Sequence, residues 1–262
     1  MARSEECGII EQKSADSPEK GQEAHKKPLR FIIVIRGRNC KEYVAKCLHS
    51  LEKQLYPYWE AMVVLDEPTD GSERIAATFV KPFGKIFIHV NEKRLGLCHN
   101  MYFAIRWAAC ILKPDDDTVF AILDADDSLS KTALLRVERV FRKYPKTLIT
   151  HGSYIKMSIG RKTKISRLYP KSGNIRKLPW RASHLKTVKW SVLKNIKDEW
   201  FQDKGKWLDA ASDLALMFPC IEIAGLKRVK HIPQAIYYWN DNTPSKTGRS
   251  AQIRCEKILR AM

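Results

Sequence analysis

The stretch Phe120-Ala-Ile-Leu-Asp-Ala-Asp-Asp-Ser-Leu129 carries three carboxylates within four residues, Asp124, Asp126 and Asp127. Val119 to Leu123 is short, apolar and bounded by polar turns, the pattern of a buried strand. The acids therefore stand where a central strand leaves the core. Charges packed this closely repel one another unless a cation or hydrogen-bond donors compensate them. An oxygen-only donor set suits Mg²⁺ or Mn²⁺, cations that also hold substrate phosphates. The plain structural alternative is an acidic turn before the next helix, with Ser128 or Ser130 as its N-cap.

Upstream, strand and helix patterns alternate at short spacing. Arg30–Ile35, Ala61–Leu65 and Lys85–Val90 read as strands. Lys41–Leu55 reads as an amphipathic helix, with Val44, Cys47, Leu48, Leu51 and Leu55 on its apolar stripe. Helices also follow near Ser72, over Cys98–Leu112 and over Lys131–Tyr144. This alternation implies parallel strands with helices on both faces, with ligands at the carboxyl rim. Four loops would share that rim: Arg36–Asn39, Asp66–Gly71, Asn91–Gly96 and Asp124–Asp127. Beyond about residue 150 the alternation is lost. There the pattern is short strands, a basic stretch, a helix over Asp209–Gly225 and a last strand at Ala235–Trp239.

The chain of 262 residues is long enough for one sizeable core. Residues 1–28 carry five basic and six acidic residues and almost no apolar pattern, and are expected to form a disordered tail. No apolar run approaches the roughly 18–20 residues that span a bilayer, and the N-terminus lacks a signal-peptide pattern. Seven scattered cysteines, none in a C-x-x-C pair, suggest reduced thiols. The expectation is a cytoplasmic protein, with peripheral membrane contact left open. The net charge is +18, and Arg139–Lys197 holds 17 Lys or Arg and no Asp or Glu. Such a field suits an anionic partner, although basic residues can also serve only solubility.

Arg36-Gly-Arg-Asn39, Leu65-Asp-Glu-Pro-Thr-Asp-Gly-Ser72, Asn91-Glu-Lys-Arg-Leu-Gly-Leu97 and Leu123-Asp-Ala-Asp-Asp127 resemble, in order and spacing, the motifs of glycosyltransferase family 2. The resemblance runs from about Leu29 to Tyr238. Thr150–Tyr154, Trp180–Thr187 and Ser212–Pro219 look like a branch found in bacterial and large-virus glycan gene sets. It implies an α/β GT-A fold, Rossmann-like, with a mixed, mainly parallel sheet and helices on both faces. Residues 29–262 would form one domain, with 29–150 binding nucleotide-sugar and 151–262 binding acceptor. The implied activity is metal-dependent, inverting sugar transfer from a nucleotide-sugar, in first place a UDP-sugar, to a glycan or lipid-linked acceptor.

The resemblance also implies roles. Arg36 and Arg38 would line the nucleotide, and Asp66 would bond the base. Arg94 would approach the diphosphate, and Asp124 the ribose. Asp126 with Asp127 would hold Mn²⁺ or Mg²⁺, and His184 is a further metal-ligand candidate. Leu65 departs from the family's usual pair of acids, which weakens the assignment of the base. Sugar transfer needs a general base on the opposite face of the sugar from the diphosphate, hence from a distant part of the chain. The resemblance places it at Asp213, with Asp209 as the alternative. Either acid could instead serve as N-terminal charge on a helix. His151 reads as structural. Trp180, Trp190, Trp200 and Trp207 are candidates for sugar stacking or core packing.

Three other readings compete. Asp124-Ala-Asp-Asp-Ser128 resembles the nucleophile motif of haloacid-dehalogenase-type phosphatases, but those place it after their first strand. A sugar nucleotidyltransferase would need a Gly-rich phosphate loop that Arg36–Asn39 does not provide. A non-enzymatic, basic nucleic-acid binder would fit the charge, but no recognised motif accompanies it, so nucleic acid is not an expected partner.

Overall fold

A computed structural model describes residues 27–158, 162–164, 166–242 and 248–262. Most of the expected tail, residues 1–26, lies outside them. The first half runs β1 (Phe31–Gly37), α1 (Val44–Glu52), β2 (Trp59–Asp66), α2 (Ser72–Ala77), β3 (Ile86–Asn91), α3 (Leu97–Leu112) and β4 (Val119–Asp124). Then follow β5 (Ser128–Leu129), α4 (Ala133–Lys143), β6 (Ile149–Lys156), β7 (Lys162–Lys164), β8 (Ser183–Lys189) and α5 (Trp190–Leu193). The chain continues through β9 (Gln202–Asp203), β10 (Lys206–Trp207), α6 (Ser212–Ala224), β11 (Val229–Trp239) and α7 (Gly248–Ala261).

The main sheet is ordered β3-β2-β1-β4-β8-β6-β11-β5, with β7 paired to β6. Strands β1 to β4 are mutually parallel, as the alternation implies. Strand β8 enters antiparallel between β4 and β6, which makes the sheet mixed. Strand β1 is buried on both faces, which explains its unbroken apolar run. Ile32 and Val34 pack into one core with apolar residues of α3 and α6. Phe31, Ile33 and Ile35 pack into the other with those of α1 and α4. Three strand–helix units precede β4, against the phosphatase reading.

Three elements, α1, α6 and β11, depart from the expected bounds by three residues or more at an end. Helix α1 is shorter than expected, because Lys41–Tyr43 forms a turn and the Leu55 amide donates to the Lys131 carbonyl instead of continuing the helix. Leu55 consequently lies exposed, off the buried stripe. Helix α6 begins at Ser212, since Ala211 before it takes a left-handed conformation with φ of 59°. Strand β11 starts at Val229, six residues before the expected start, and pairs with β6 through register shifts.

Candidate active site

The register of the parallel strands builds the site. Pairing of β1 with β4 puts Arg36 opposite Asp124, and pairing of β2 with β3 puts Asp66 opposite Asn91. All four strands end at one rim, above a cleft of about 1000 Å³. Arg36, Arg38, Asp66, Arg94, Asp124, Asp126, Asp127, Asp209 and Asp213 all line it. Of the residues given a catalytic, donor-binding or metal-binding role in the sequence analysis, His184 is not among the described residues that line it.

Arg36 is buried, and its guanidinium spans two elements. Nη2 donates to Asp124 Oδ1 at 2.6 Å, and Nη1 donates to Ser212 Oγ at 2.9 Å. This joins β1 and β4 to the start of α6. Burial raises the Asp124 carboxyl above its usual range, against the pull of Arg36, and Asp213 and Asp126 add to the rise. Arg38 donates to Glu67 at 3.1 Å. Asp66 accepts from Asn91 Nδ2 at 3.0 Å and from the amides of Leu95 at 2.8 Å and Gly96 at 3.0 Å. Burial works to raise its carboxyl, but these donors outweigh it and hold the group below the usual value. Asp66 therefore also fixes the loop that carries the exposed Arg94.

The three acids after β4 have different surroundings. Asp127 is buried, with one oxygen taken by the Tyr237 hydroxyl and the other by the Asn240 amide at 2.7 Å. Burial, then the charges of Asp124 and Asp126, push it up to about 8. Its neighbour Asp126 is half-buried on the cleft wall.

Asp213, which also lines the cleft, lies in the first turn of α6. Its Oδ2 lies 2.5 Å from the ammonium of Lys186 on β8, whose side chain is 3% exposed. Burial acts to raise the Asp213 carboxyl, but Lys186, with His184 and Arg36, overrides it and holds the group far below the usual range. His184 has its Nδ1 3.3 Å from Lys186 Nζ, and its ring stacks on Tyr237 at 4.5 Å. Asp209 is exposed and tied to α7, with Arg254 Nη2 at 2.7 Å and Cys255 Sγ at 3.1 Å. The hydrogen bond from Cys255 and the charge of Arg254 lower its carboxyl.

Lys186, Ser212, Tyr237 and Asn240 carry no role in the sequence reading. Lys186 has one visible signal, a lysine flanked by apolar and β-branched residues in a strand, which demands a buried anion. Trp180 and Trp207 line the cleft, whereas Trp190 stacks on Phe120 and Trp200 packs against the core. The basic stretch is partly neutralised: Lys189 pairs with Asp117, Lys194 with Asp116 and Arg176 with Glu222. Arg161 lies outside the described residues.

Among the described residues, no group of three or more His, Cys, Asp or Glu side chains is arranged to hold a cation. The donors that line the cleft still fit Mg²⁺ or Mn²⁺. These ions are usually bound through one or two carboxylates, with substrate phosphates completing the set.

The sequence profile of glycosyl transferase family 2 matches residues 31–217. The chain is 28% identical over 107 residues to the teichoic acid poly(glycerol phosphate) polymerase of Staphylococcus epidermidis, across 40% of this chain and 14% of that protein. It is 29% identical over 108 residues to the putative teichuronic acid biosynthesis glycosyltransferase TuaG of Bacillus subtilis, across 41% of this chain and 40% of that protein. It thus spans less than half the length of either curated relative. S. aureus TarS 1–349 in complex with UDP-GlcNAc superposes with a TM-score of 0.63 at 18% identity, over 83% of this chain and 60% of that one. The mannosyltransferase PcManGT of Pyrobaculum calidifontis, in complex with GDP-Man and Mn²⁺, does so with a TM-score of 0.55 at 17% identity, over 88% and 61%. At such identities the likeness is one of fold, and it agrees with the GT-A architecture expected from the loop motifs. With the profile spanning most of the sequence, the chain belongs to glycosyl transferase family 2.

Proposed function

We propose that the chain transfers a sugar, with inversion, from a nucleotide-sugar to the hydroxyl of a glycan or lipid-linked acceptor. The observation that carries this reading is that Asp124 and Asp126, after β4, and Asp213, on α6, line the same cleft. Arg36, Arg38, Asp66 and Asp124 would bind the nucleoside, and Arg94 the diphosphate. Asp126 would hold Mn²⁺ or Mg²⁺, which offsets charge on the departing diphosphate, and Asp127 would join it only by exchanging its contacts with Tyr237 and Asn240. Asp213 would take the acceptor proton as the acceptor oxygen bonds to the anomeric carbon and the nucleoside diphosphate leaves. Its depressed carboxyl keeps it ionised, the state in which a base acts.

UDP is the first choice of nucleotide, in keeping with the UDP-GlcNAc complex of TarS. GDP is the second, after the GDP-Man complex of the mannosyltransferase. The basic stretch supports an anionic acceptor, or an anionic membrane surface that carries one. One relative is named for poly(glycerol phosphate), which is itself anionic. Among the described residues, no helix is long and apolar enough to cross a membrane.

The test is release of nucleoside diphosphate from UDP- and GDP-sugars with Mn²⁺, using water or added glycans as acceptor. Asp126→Asn should abolish turnover, and Asp213→Asn should lower it by roughly 10²–10⁴-fold with donor binding kept. Full turnover in excess EDTA would remove the metal from this reading, and full turnover by Asp213→Asn would remove the base.

A further inference from the structure

We propose that Lys186 is a positioning residue, which seats the Asp213 carboxylate for proton transfer and acts on the reaction only through it. The inference rests on the reading of Asp213 as the base. Lys186 sits in β8 opposite Ile122 of β4, within the sheet. It is not among the described residues that line the cleft, whereas Asp213 is. A lysine this buried needs an anion, and Asp213 supplies it at 2.5 Å.

The contact of Lys186 is made at Oδ2 of Asp213. The neighbouring Ser212 is held by Arg36 from β1, so the first turn of α6 is tied to the sheet at two successive residues. Lys186 is itself flanked by His184, whose ring stacks on Tyr237, and the Tyr237 hydroxyl donates to Asp127. Contacts thus run unbroken from the acid loop after β4 to the acid on α6. Through them the acid loop and the first turn of α6 keep their relative placement. A clamp on the diphosphate would need the ammonium in the cleft, where it is not found.

Four proteins test this: wild type, Lys186→Met, Asp213→Asn and the double variant. The readout is UDP release from a panel of UDP-hexoses with Mn²⁺, with water as acceptor. Lys186→Met should lower kcat by about 10²-fold, the scale of a misplaced catalytic group, with the KM for UDP-hexose unchanged. In the Asp213→Asn background it should cost nothing more, because the two residues act as one unit. A further loss in that background, a raised KM, or wild-type kcat in Lys186→Met overturns the proposal. If Asp213→Asn is slow and Lys186→Met is not, the base reading stands and this role fails. If Asp213→Asn turns over at the wild-type rate, the base reading fails and takes this role with it. Urea unfolding of the same four proteins decides the pairing even when no hexose is turned over: non-additive midpoints support it and additive midpoints overturn it. Should Lys186→Met not fold, Lys186→Arg, which keeps the charge but displaces it, is read on the same cycle.

Discussion

Arg36 and Asp124 are register partners on neighbouring parallel strands, and the Arg36 guanidinium closes on Asp124 Oδ1 at 2.6 Å. The pairing turns a position in a sheet into a site, because Arg36 is buried while Asp124 still reaches the cleft. The second donor of Arg36 holds Ser212. One side chain thereby sets the distance between the acids after β4 and the acid on α6.

Arg36→Lys tests this link. A lysine has one compact ammonium in place of a planar fork and cannot make both bonds in the same geometry. Unfolding free energy should fall by about 1–3 kcal/mol, the scale of a hydrogen bond to a charged group. Equilibrium urea unfolding measures it. An unchanged midpoint would show that the two bonds contribute nothing in solution.

Gly37→Ala should disturb the acid loop without touching an acid. A Cβ on Gly37 would stand 2.5 Å from Ala125 Cβ and 3.0 Å from Cys40 Sγ. Ala125 lies between Asp124 and Asp126, so the backbone that carries both must shift. Overpacking of this kind costs about 1–3 kcal/mol. Thermal unfolding should show the loss, and titration of UDP with Mn²⁺ should show weaker binding. Binding at wild-type strength would mean that the loop absorbs the methyl group.

Asp209→Asn separates the two acids near α6. Asp209 is exposed and held by Arg254 and Cys255 of α7, so its loss should loosen α7 and leave catalysis in place. Exposed ion pairs contribute about 1 kcal/mol or less. Nucleotide release should stay within about threefold of wild type, and hydrogen exchange over Gly248–Ala261 should quicken. A collapse of kcat would transfer the base role from Asp213 to Asp209.

His151 should make the fold sensitive to mild acid. It is fully buried, bonded through Nδ1 to Ser166 Oγ at 2.7 Å and packed beside His231. Burial first, then the charges of His231 and Lys186, push it down to about 3. An unfolded histidine titrates near 6.5, so below that pH the unfolded chain binds a proton that the folded chain does not. The stabilisation is complete above about pH 6.5 and is lost as pH falls toward 3. By pH 5 the loss should reach about 2 kcal/mol. Urea unfolding at pH 7.5 and pH 5 should give a steeper decline for wild type than for His151→Gln. Parallel declines would assign the acid sensitivity to other groups.

The loop motifs after β1 to β4 were legible in the sequence because each lies where a short apolar strand stops. In a parallel sheet those stops share one rim. Local pattern therefore sufficed for the α/β architecture and for collecting Arg36, Asp66, Asp124 and Asp126 at one edge. What local pattern could not supply was the partner of each charge. Lys186 pairs with Asp213 from 27 positions away, and Tyr237 reaches Asp127 from 110 positions away. Those meetings depend on β8 entering antiparallel beside β4, and on β11 returning beside β5 and β6. Three adjacent acids read alike in the sequence. Only the tertiary structure separates Asp124 on Arg36, Asp126 on the cleft wall and Asp127 buried under Tyr237, because the ionisation of a carboxylate depends on what surrounds it in space.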